Sequence, residues 1–570
     1  MKAATARDEL RHAASLLPEL KENVLQGDAA AAARNLSALE LHTADARKAT
    51  ADPLWRLASA LPLVGINFQA ATEVAISADD VARLAAAPLV GALQSLDWKA
   101  LTPVGGGVKV EPLAEASPAI ASAANAVHQS TERLNSIDSS RLLPQISEPL
   151  EDAREQLTSL QTGLQSASDF TAVAPAMLGA EQPRHYLLLI ENNAESRATG
   201  GIPGALAVLS VDKGRLTLGP QSSASELGTF TPPVDMDPEQ QNIYSARLGK
   251  FMQDANLTPD FPSAAGIAQA MWERKFGQRV DGVISIDPVA LGYVLDATGP
   301  VRLTDPQIVA TAGEALPVEL TGTNVVQTLL SDVYGKIEEP ELQDVYFAGV
   351  AKEIFAALSA GRSNGESLIE GLARGTVERR ILLWSSSADE QRVIERYPVG
   401  GSISGAAVAP AEFGVYFNDG TGAKMDYYVR RTVQLVKECP RDGYEQTTVR
   451  ITSTNTAPTD AATSLPAYVT GNGFFGVPTG SVQTNIMAYG PVQAQVETAK
   501  LDGQKTEFAP YFHSSRPVGV LAVRLAPGET KTVNFTFSKI VQHTEPNVVV
   551  TPTVQDVKDV TLPTETAACG

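Results

Sequence analysis

Acidic, amide and guanidinium side chains are concentrated in one segment, residues 184–211, which reads RHYLLLIENNAESRATGGIPGALAVLSV. Two apolar runs flank a polar, glycine-rich turn, and such runs are typical of strands that are buried on both faces of a sheet. Open α/β sheets bind ligands at the carboxyl ends of their strands, so the segment predicts a ligand site. A wide hairpin whose polar residues hydrogen-bond their own backbone would show the same pattern.

Three ionisable side chains of this segment are candidate catalytic groups: Glu191, Glu195 and Arg197. A guanidinium binds phosphate or carboxylate through two hydrogen bonds, which makes Arg197 the candidate anion binder. Glu191 and Glu195 would suit cleavage of a glycosidic bond, one as acid/base and the other as nucleophile, if the chain turns between them. The alternative is structural, with Arg197 in a salt bridge to one of the two glutamates.

Other polar or small residues would contact the substrate. Glycines let the backbone approach a ligand closely, and amides and charged groups supply hydrogen bonds. Asp260 could instead cap the following helix, and Asp426 could be a partner in an interdomain salt bridge. The candidate substrate-binding residues are Asn192, Asn193, Thr199, Gly200, Gly201, Asp260, Lys424 and Asp426.

Composition excludes several classes of function. A net charge of −20 argues against a nucleic-acid partner, because neutralising phosphates needs a basic face. The six histidines are scattered without an HExxH motif or a close pair, so we expect no histidine-based zinc site and no cofactor, unless phosphoryl transfer requires a divalent metal. Cys439 and Cys569 are the two cysteines, and the sequence does not determine whether they pair.

Three successive regions differ in composition and hydrophobic spacing, which predicts a multidomain α+β fold. Residues 1–178 are rich in alanine and leucine with helical spacing, typical of a helical bundle or stalk. Residues 179–402 alternate strands and helices, which indicates a sheet sandwiched by helices with the strand at 185–190 in its centre. Residues 403–570 contain β-rich runs separated by turns, which predicts an immunoglobulin-like β-sandwich.

Several long motifs resemble those of the DUF4012 family. They are ENNAESRATGGIPGALAVLSVDKGRLTL, the segment from 256 to 303, and FNDGTGAKMDYYVRR at 417–431, in which Lys424 and Asp426 fall on a K-x-D-Y-Y strand. We expect that strand to pack beside the polar segment. The resemblance also implies a transmembrane helix just before Met1, so we expect a membrane-anchored, extracytoplasmic protein whose anchor is absent from this chain.

The middle third also resembles the LytR-CpsA-Psr (LCP) domain, which transfers glycans from polyprenyl pyrophosphate to the cell wall. In that family an arginine and an aspartate after the first strand handle pyrophosphate and metal. By this resemblance Arg197 stands near the position of that arginine, but Ala198 occupies the expected position of the aspartate. Leu330–Tyr334 and Leu342–Tyr346 replace the arginine-rich motifs of that family. A pyrophosphate would therefore meet few cations unless Lys424 supplies one.

These observations predict action on a bacterial cell-envelope glycan, by transfer or cleavage of a glycosyl or glycosyl-phosphate group at the Asn-Asn-Ala-Glu-Ser-Arg segment. The expected partners are an envelope polysaccharide or a lipid-linked glycan; the oligomeric state stays open. One alternative is a carboxylate-based glycoside hydrolase or transglycosylase that uses Glu191 and Glu195. The other is a non-catalytic envelope glycan-binding or scaffold protein.

Overall fold

The structure, a computed structural model, falls into two compact units along the chain. One unit consists of Met1–Pro183 with Asp212–Arg215, and the other of Arg184–Val211 with Leu216–Gly570. Residues 96–106 of the predicted helical region lie outside the described residues. The residues that the structure describes are 2–25, 28–62, 64–95, 107–360 and 365–569.

The described part of residues 2–177 is mainly helical, which confirms the predicted N-terminal helical region. Asp28 caps α2 by accepting a hydrogen bond from the backbone N–H of Ala31. None of the described helices combines the length and apolar character needed to cross a membrane. The helices are α1 Lys2–Leu25, α2 Ala29–Thr50, α3 Pro53–Ser59, α4 Gly65–Asp80, α5 Ala87–Ser95, α6 Glu111–Asn135 and α7 Pro144–Met177.

The second unit opens with a mixed sheet whose described strands run in the order β3-β2-β1-β4-β7. Strand β1 pairs antiparallel with β2 and parallel with β4, so the predicted central position of the 185–190 run is confirmed. The strands of this region are β1 Arg184–Arg197, β2 Gly200–Asp212, β3 Arg215–Ser223, β4 Gly282–Ile286, β5 Val301–Arg302, β6 Glu319–Leu320 and β7 Ile381–Ser385.

The polar segment is strand, not the broad turn that its composition predicts. Strand β1 continues through two register shifts to Arg197, and β2 begins at Gly200. Bulges of this kind bend a strand and redirect its side chains. The bulges direct the polar side chains towards hydrogen-bond partners in other elements. The backbone of these residues can therefore remain paired in the sheet.

Helices cover this sheet and complete the α/β region. Asp260 and Asp287 accept hydrogen bonds from the first turns of α10 and α11, as N-cap residues do. Phe261 and Met271 of α10 are buried in one core with Leu189 of β1. The helices are α8 Ala224–Leu227, α9 Pro238–Tyr244, α10 Phe261–Phe276, α11 Pro288–Thr298, α12 Pro306–Ala312, α13 Val325–Gln327, α14 Val333–Lys336, α15 Pro340–Ser359, α16 Gly365–Val377 and α17 Ala388–Ile394.

Two sheets form the predicted β-sandwich, in the orders β13-β12-β16-β10-β9-β18 and β14-β15-β11-β8-β17. Phe413 and Phe417 of one sheet share a buried core with Val433 and Phe535 of the other. The strands are β8 Glu412–Asp419, β9 Val429–Arg441, β10 Tyr444–Asn455, β11 Val482–Tyr489, β12 Gln495–Leu501, β13 Gln504–Thr506, β14 Ala509–His513, β15 Arg516–Leu525, β16 Thr530–Ile540, β17 Asn547–Val550 and β18 Thr561–Thr566; the short helices are α18 Ala461–Ser464, α19 Ala467–Thr470 and α20 Val557–Val560.

The strand predicted at Lys424–Tyr428 is wrong. Residues Met425–Tyr428 form one 3₁₀ turn that joins the loop after β8 to the start of β9. Met425 and Asp426 are buried in that turn. The alternation that predicts a strand therefore belongs to β9, which begins at Val429.

Cys439 and Cys569 form a disulfide with their Cα atoms 5.6 Å apart. Cys439 lies near the end of β9, and Cys569 follows β18, which pairs parallel with β9. The disulfide therefore fixes the C-terminal strand to the edge of the sandwich, and the pairing that the sequence leaves open is decided.

We expect Cys569→Ser to lower the free energy of unfolding by roughly 2–4 kcal/mol, because the bond closes a long loop and so restricts the unfolded chain. Urea unfolding of protein folded under oxidising conditions measures the loss. The control is wild-type protein unfolded with a reductant, which should show the same loss. Two free thiols in the unreduced native protein would contradict the pairing.

Candidate functional site

The polar end of β1 is mostly buried. A buried polar group must find a partner inside the protein, since water cannot supply one. Glu191, Asn193 and Arg197 meet this requirement with side-chain hydrogen bonds to neighbouring elements. The buried polar residues of this segment are Glu191, Asn193, Ser196, Arg197 and Thr199.

Glu191 lies inside the sheet with 2% of its surface exposed. Its Oε1 accepts hydrogen bonds from the hydroxyls of Thr199 and Ser285, at 2.8 and 2.7 Å, and from Asn256 Nδ2 at 3.2 Å. Its Oε2 accepts from the backbone N–H of Gly201 at 3.0 Å. Burial raises the pKa of Glu191 to about 7, although these donors favour the ionised form. The carboxylate holds β1, β2 and β4 together and does not face solvent.

The predicted ligand-binding glycines pack against this carboxylate. Gly200 has a φ of 149°, and a Cβ there would lie 2.2 Å from Glu191 Oε2. A Cβ at Gly201 would lie 2.1 Å from the carbonyl oxygen of Asn192. The absence of side chains at both positions therefore lets β2 close over Glu191, which explains the glycines without a ligand.

Arg197 is also engaged inside the protein. Its Nη2 donates to Asp254 Oδ1 at 3.1 Å, and its Nε donates to the carbonyl oxygen of Gln253 at 3.2 Å. Asp254 also pairs with the exposed Arg247 at 2.7 Å. The predicted salt bridge of Arg197 with Glu191 or Glu195 is wrong, because the bulged end of β1 turns its guanidinium towards Asp254.

Two further candidates, Asn193 and Asp426, join β1 to the sandwich. Asn193 Nδ2 donates to Asp287 Oδ2 at 3.1 Å and to the carbonyl oxygen of Pro552 at 3.3 Å. Asp426 is buried beside Arg431, which donates to one carboxylate oxygen, and the backbone N–H of Ser196 donates to the other at 3.2 Å. Both side chains therefore fasten the two layers. The interdomain salt bridge considered for Asp426 is wrong, because its salt-bridge partner Arg431 lies in β9 of the same sandwich and only a hydrogen bond joins Asp426 to β1.

Asp260 is the N-cap residue of α10. Its Oδ2 accepts hydrogen bonds from the backbone N–H and the hydroxyl of Ser263, at 3.3 and 2.6 Å. The structure gives this candidate the capping role.

Glu195, whose side chain is 15% exposed, forms an ion pair with the buried Lys424. Lys424 Nζ lies 2.8 Å from Glu195 Oε2, and it also lies over the rings of Tyr468 and Tyr334, 4.2 and 4.7 Å from their centroids. Burial by itself lowers the pKa of Lys424, but Glu195 and the two tyrosines raise it, and the net result is above the usual value. The lysine therefore stays charged.

Asn192 completes this group. Its Nδ2 donates to the hydroxyl of Tyr334 at 2.8 Å and to Glu195 Oε2 at 3.4 Å, while its Oδ1 accepts from the backbone N–H of Ala194. Of the predicted site residues, the structure thus brings Asn192, Glu195 and Lys424 together, whereas Glu191 and Arg197 belong to separate buried networks.

The sequence interpretation misses three exposed aromatic residues, of which Tyr468 lies against Lys424. Tyr468 is 49% exposed, Phe474 is 83% exposed and Phe475 is 72% exposed. The backbone N–H of Lys424 donates to the carbonyl oxygen of Val469 at 3.0 Å, which holds this segment against the ion pair. The two adjacent phenylalanines inside GNGFFGVPTG could have predicted exposed rings. A glycine-rich turn has few apolar neighbours against which they could be buried.

A cavity next to Thr199 is too small for a substrate. It measures about 10 Å³ and is lined by residues that include Ala198, Arg379 and Tyr416. That volume is about one water molecule. A sugar ring therefore does not fit in this cavity.

Residues 181–334 match the family model described as "Protein of unknown function (DUF4012)". This part of the chain belongs to the DUF4012 family. The DUF4012 segment includes the polar end of β1 and Tyr334, whereas Lys424 and the exposed aromatic residues lie beyond it. No curated protein was found to match the chain. The resemblance to the LCP domain is not confirmed, and the family description supplies no activity.

The buried Glu191 makes stability depend on pH. Its folded pKa of about 7 lies above the ordinary value of 4.5, so its contribution is complete below about pH 4.5 and is lost as pH rises through 7. For wild type we expect this loss to reach about 3 kcal/mol by pH 8. The glutamine side chain of Glu191→Gln does not titrate, so this variant should not show that loss of unfolding free energy.

Urea unfolding of wild type and Glu191→Gln at pH 5 and pH 8 measures the effect. Asp419 also has a pKa raised to about 7, by burial and by the charge of Asp426, so only the difference between the two proteins reports on Glu191. A difference that is the same at both pH values would contradict the assignment.

Arg197→Ala should lower the free energy of unfolding by about 3–5 kcal/mol, because it leaves the buried Asp254 without its inner partner. Arg247→Ala is the matched control. It removes the other partner of the same carboxylate, but the Arg247 side chain is 62% exposed, so we expect a loss under about 1 kcal/mol. Chemical denaturation of both variants checks the ranking, and equal losses would refute the buried-pair assignment.

Proposed function

We propose that this DUF4012 protein is a non-catalytic binder of a cell-envelope glycan. We call the three aromatic residues Tyr468, Phe474 and Phe475 the aromatic platform. The glycan-contact surface consists of this platform and the Glu195–Lys424 pair. One observation carries the proposal: the half-exposed ring of Tyr468 lies against Lys424 beside the partly exposed Glu195, and two more exposed rings follow in the same segment, while Glu191 and Arg197 are paired and buried.

The chemistry of the platform suits a sugar. A pyranose ring has an apolar face of C–H groups and a rim of hydroxyls. Exposed aromatic rings offer a flat apolar surface, and the carboxylate of Glu195 and the amide of Asn192 offer hydrogen-bonding atoms beside it. The net charge of −20 favours a neutral polysaccharide over a polyanionic one.

Burial argues against the two catalytic readings. A glycosidase needs two carboxyl groups on either side of the scissile bond. Glu191 is enclosed by four donors, and Glu195 is held by Lys424. A glycosyl-phosphate transferase needs a cation that reaches the phosphate, and Arg197 is committed to Asp254.

The proposal includes an extracytoplasmic location and a membrane anchor that precedes this chain. The disulfide between Cys439 and Cys569 supports the location, because such bonds persist in oxidising compartments. The anchor rests on the family resemblance. An envelope polysaccharide is the expected partner, and a lipid-linked glycan is the second ligand to examine.

The double substitution Phe474→Ala with Phe475→Ala should raise the Kd for a neutral envelope polysaccharide at least about ten-fold, because two stacking surfaces are lost. Both rings are exposed, so the melting temperature should stay within a degree or two. Affinity electrophoresis or calorimetry measures binding. Phe512→Ala, which removes a 58% exposed ring elsewhere in the sandwich, is the matched control and should bind like wild type.

The same glycans test catalysis directly. Incubation with envelope polysaccharide and with lipid-linked glycan, with and without a divalent metal, should release neither reducing ends nor phosphate. Turnover that Glu195→Gln abolishes at unchanged melting temperature would overturn the proposal in favour of a glycosidase. Polysaccharide binding that the double substitution leaves unchanged would remove the aromatic platform from the glycan-contact surface.

A further inference from the structure

Two histidines that are far apart in sequence meet across the first helical hairpin. His12 lies in α1 and His42 in α2, each about midway along its helix, and their ring centroids are 5.2 Å apart. Glu9 lies one turn before His12 on the same helix face. Its Oε2 is 2.6 Å from His42 Nδ1. One ligand atom from each residue lies within 4.8 Å of the others.

We infer that Glu9, His12 and His42 bind a transition-metal ion, with Zn²⁺ the best match. Two imidazole nitrogens and one carboxylate oxygen form a common three-residue zinc set, which leaves a fourth position for water or a partner's ligand. Mixed nitrogen and oxygen donors favour Zn²⁺ over Mg²⁺ or Ca²⁺, which prefer oxygen alone.

The geometry needs little adjustment. Ligand atoms around a tetrahedral zinc ion lie about 3.3 Å apart, given bond lengths of about 2.0–2.1 Å. Atoms within 4.8 Å of one another reach that spacing by side-chain rotation. Ala13, beside His12, and Leu39, one turn before His42, are buried in the core of the hairpin, which fixes both backbones.

Solvent and metal can reach the three side chains. Glu9 and His42 are 26% and 30% exposed, and His12 is exposed. Without metal, the contact between Glu9 and His42 is an ordinary hydrogen-bonded pair. With metal, the ion joins α1 to α2 and should stabilise the hairpin, because a ligand that binds the folded state shifts the unfolding equilibrium.

The test uses the full chain without an affinity tag, stripped of metal with a chelator. Calorimetric titration with ZnCl₂ should give one ion per chain, the melting temperature should rise with Zn²⁺, and Co²⁺ should give the visible absorption of a tetrahedral site. His12→Ala and His42→Ala should each weaken Zn²⁺ binding at least about ten-fold. Glu9→Gln keeps a hydrogen-bonding group beside His42 and should weaken binding through loss of the anionic ligand.

His128→Ala is the matched control. His128 lies in the same unit beside a glutamate, with its Nε2 3.5 Å from Glu132 Oε1, so it resembles the Glu9–His42 pair without a second histidine. Its substitution should leave Zn²⁺ affinity unchanged. A wild-type Kd in His12→Ala, a loss in His128→Ala equal to that in His42→Ala, or the absence of Zn²⁺ binding by wild type would each overturn the inference. Circular dichroism verifies that every variant keeps its helical content.

Discussion

The second unit depends on the hydrogen bonds that hold the polar end of β1 inside the protein. Polar groups removed from water cost free energy unless each finds a partner, and this segment buries a carboxylate, an amide and a guanidinium within a few residues. Neighbouring strands and α11 supply part of the pairing. The sandwich supplies the rest, since Asp426 accepts from the backbone of Ser196 and the Thr551 hydroxyl donates to the carbonyl of Ala198. Separating the layers would leave these groups unpaired, so the α/β sheet and the sandwich form one compact unit.

Buried arginines extend the same principle along the second unit. Arg380 donates to Asp287 and to the carbonyl oxygens of Thr553 and Gln555, and so ties the segment after β17 to the α/β sheet. Arg516 donates to the carbonyl oxygens of Ile403, Glu412 and Gly490. A buried guanidinium is tolerated where acceptors surround it, and its planar, forked shape then fixes their relative positions.

These buried hydrogen bonds and salt bridges explain why the DUF4012 motif in this chain contains reactive residue types that have a structural role. Glu191 and Arg197 are reactive side-chain types, yet neutral donors enclose Glu191, and Asp254 pairs with Arg197, and both side chains are buried away from a substrate. Among the three candidate catalytic groups, Glu195 alone keeps a partly exposed side chain, at 15%, next to the aromatic platform. The distinction between a structural and a functional polar residue is therefore one of burial and partners, not of residue type.

The order of helical, α/β and β regions and the central place of β1 can be predicted from the sequence, because both follow from local hydrophobic spacing. The sequence also placed Asp260 correctly as a candidate helix cap, since capping involves residues only a few positions apart. Only the tertiary structure decided that Glu195 pairs with Lys424, that Cys439 pairs with Cys569, and that His12 faces His42. These partners are far apart in the chain, and which of them meet depends on how elements pack, which local periodicity does not encode. The turn predicted across the polar segment failed for the same reason, because distant groups satisfied side chains that would otherwise need solvent.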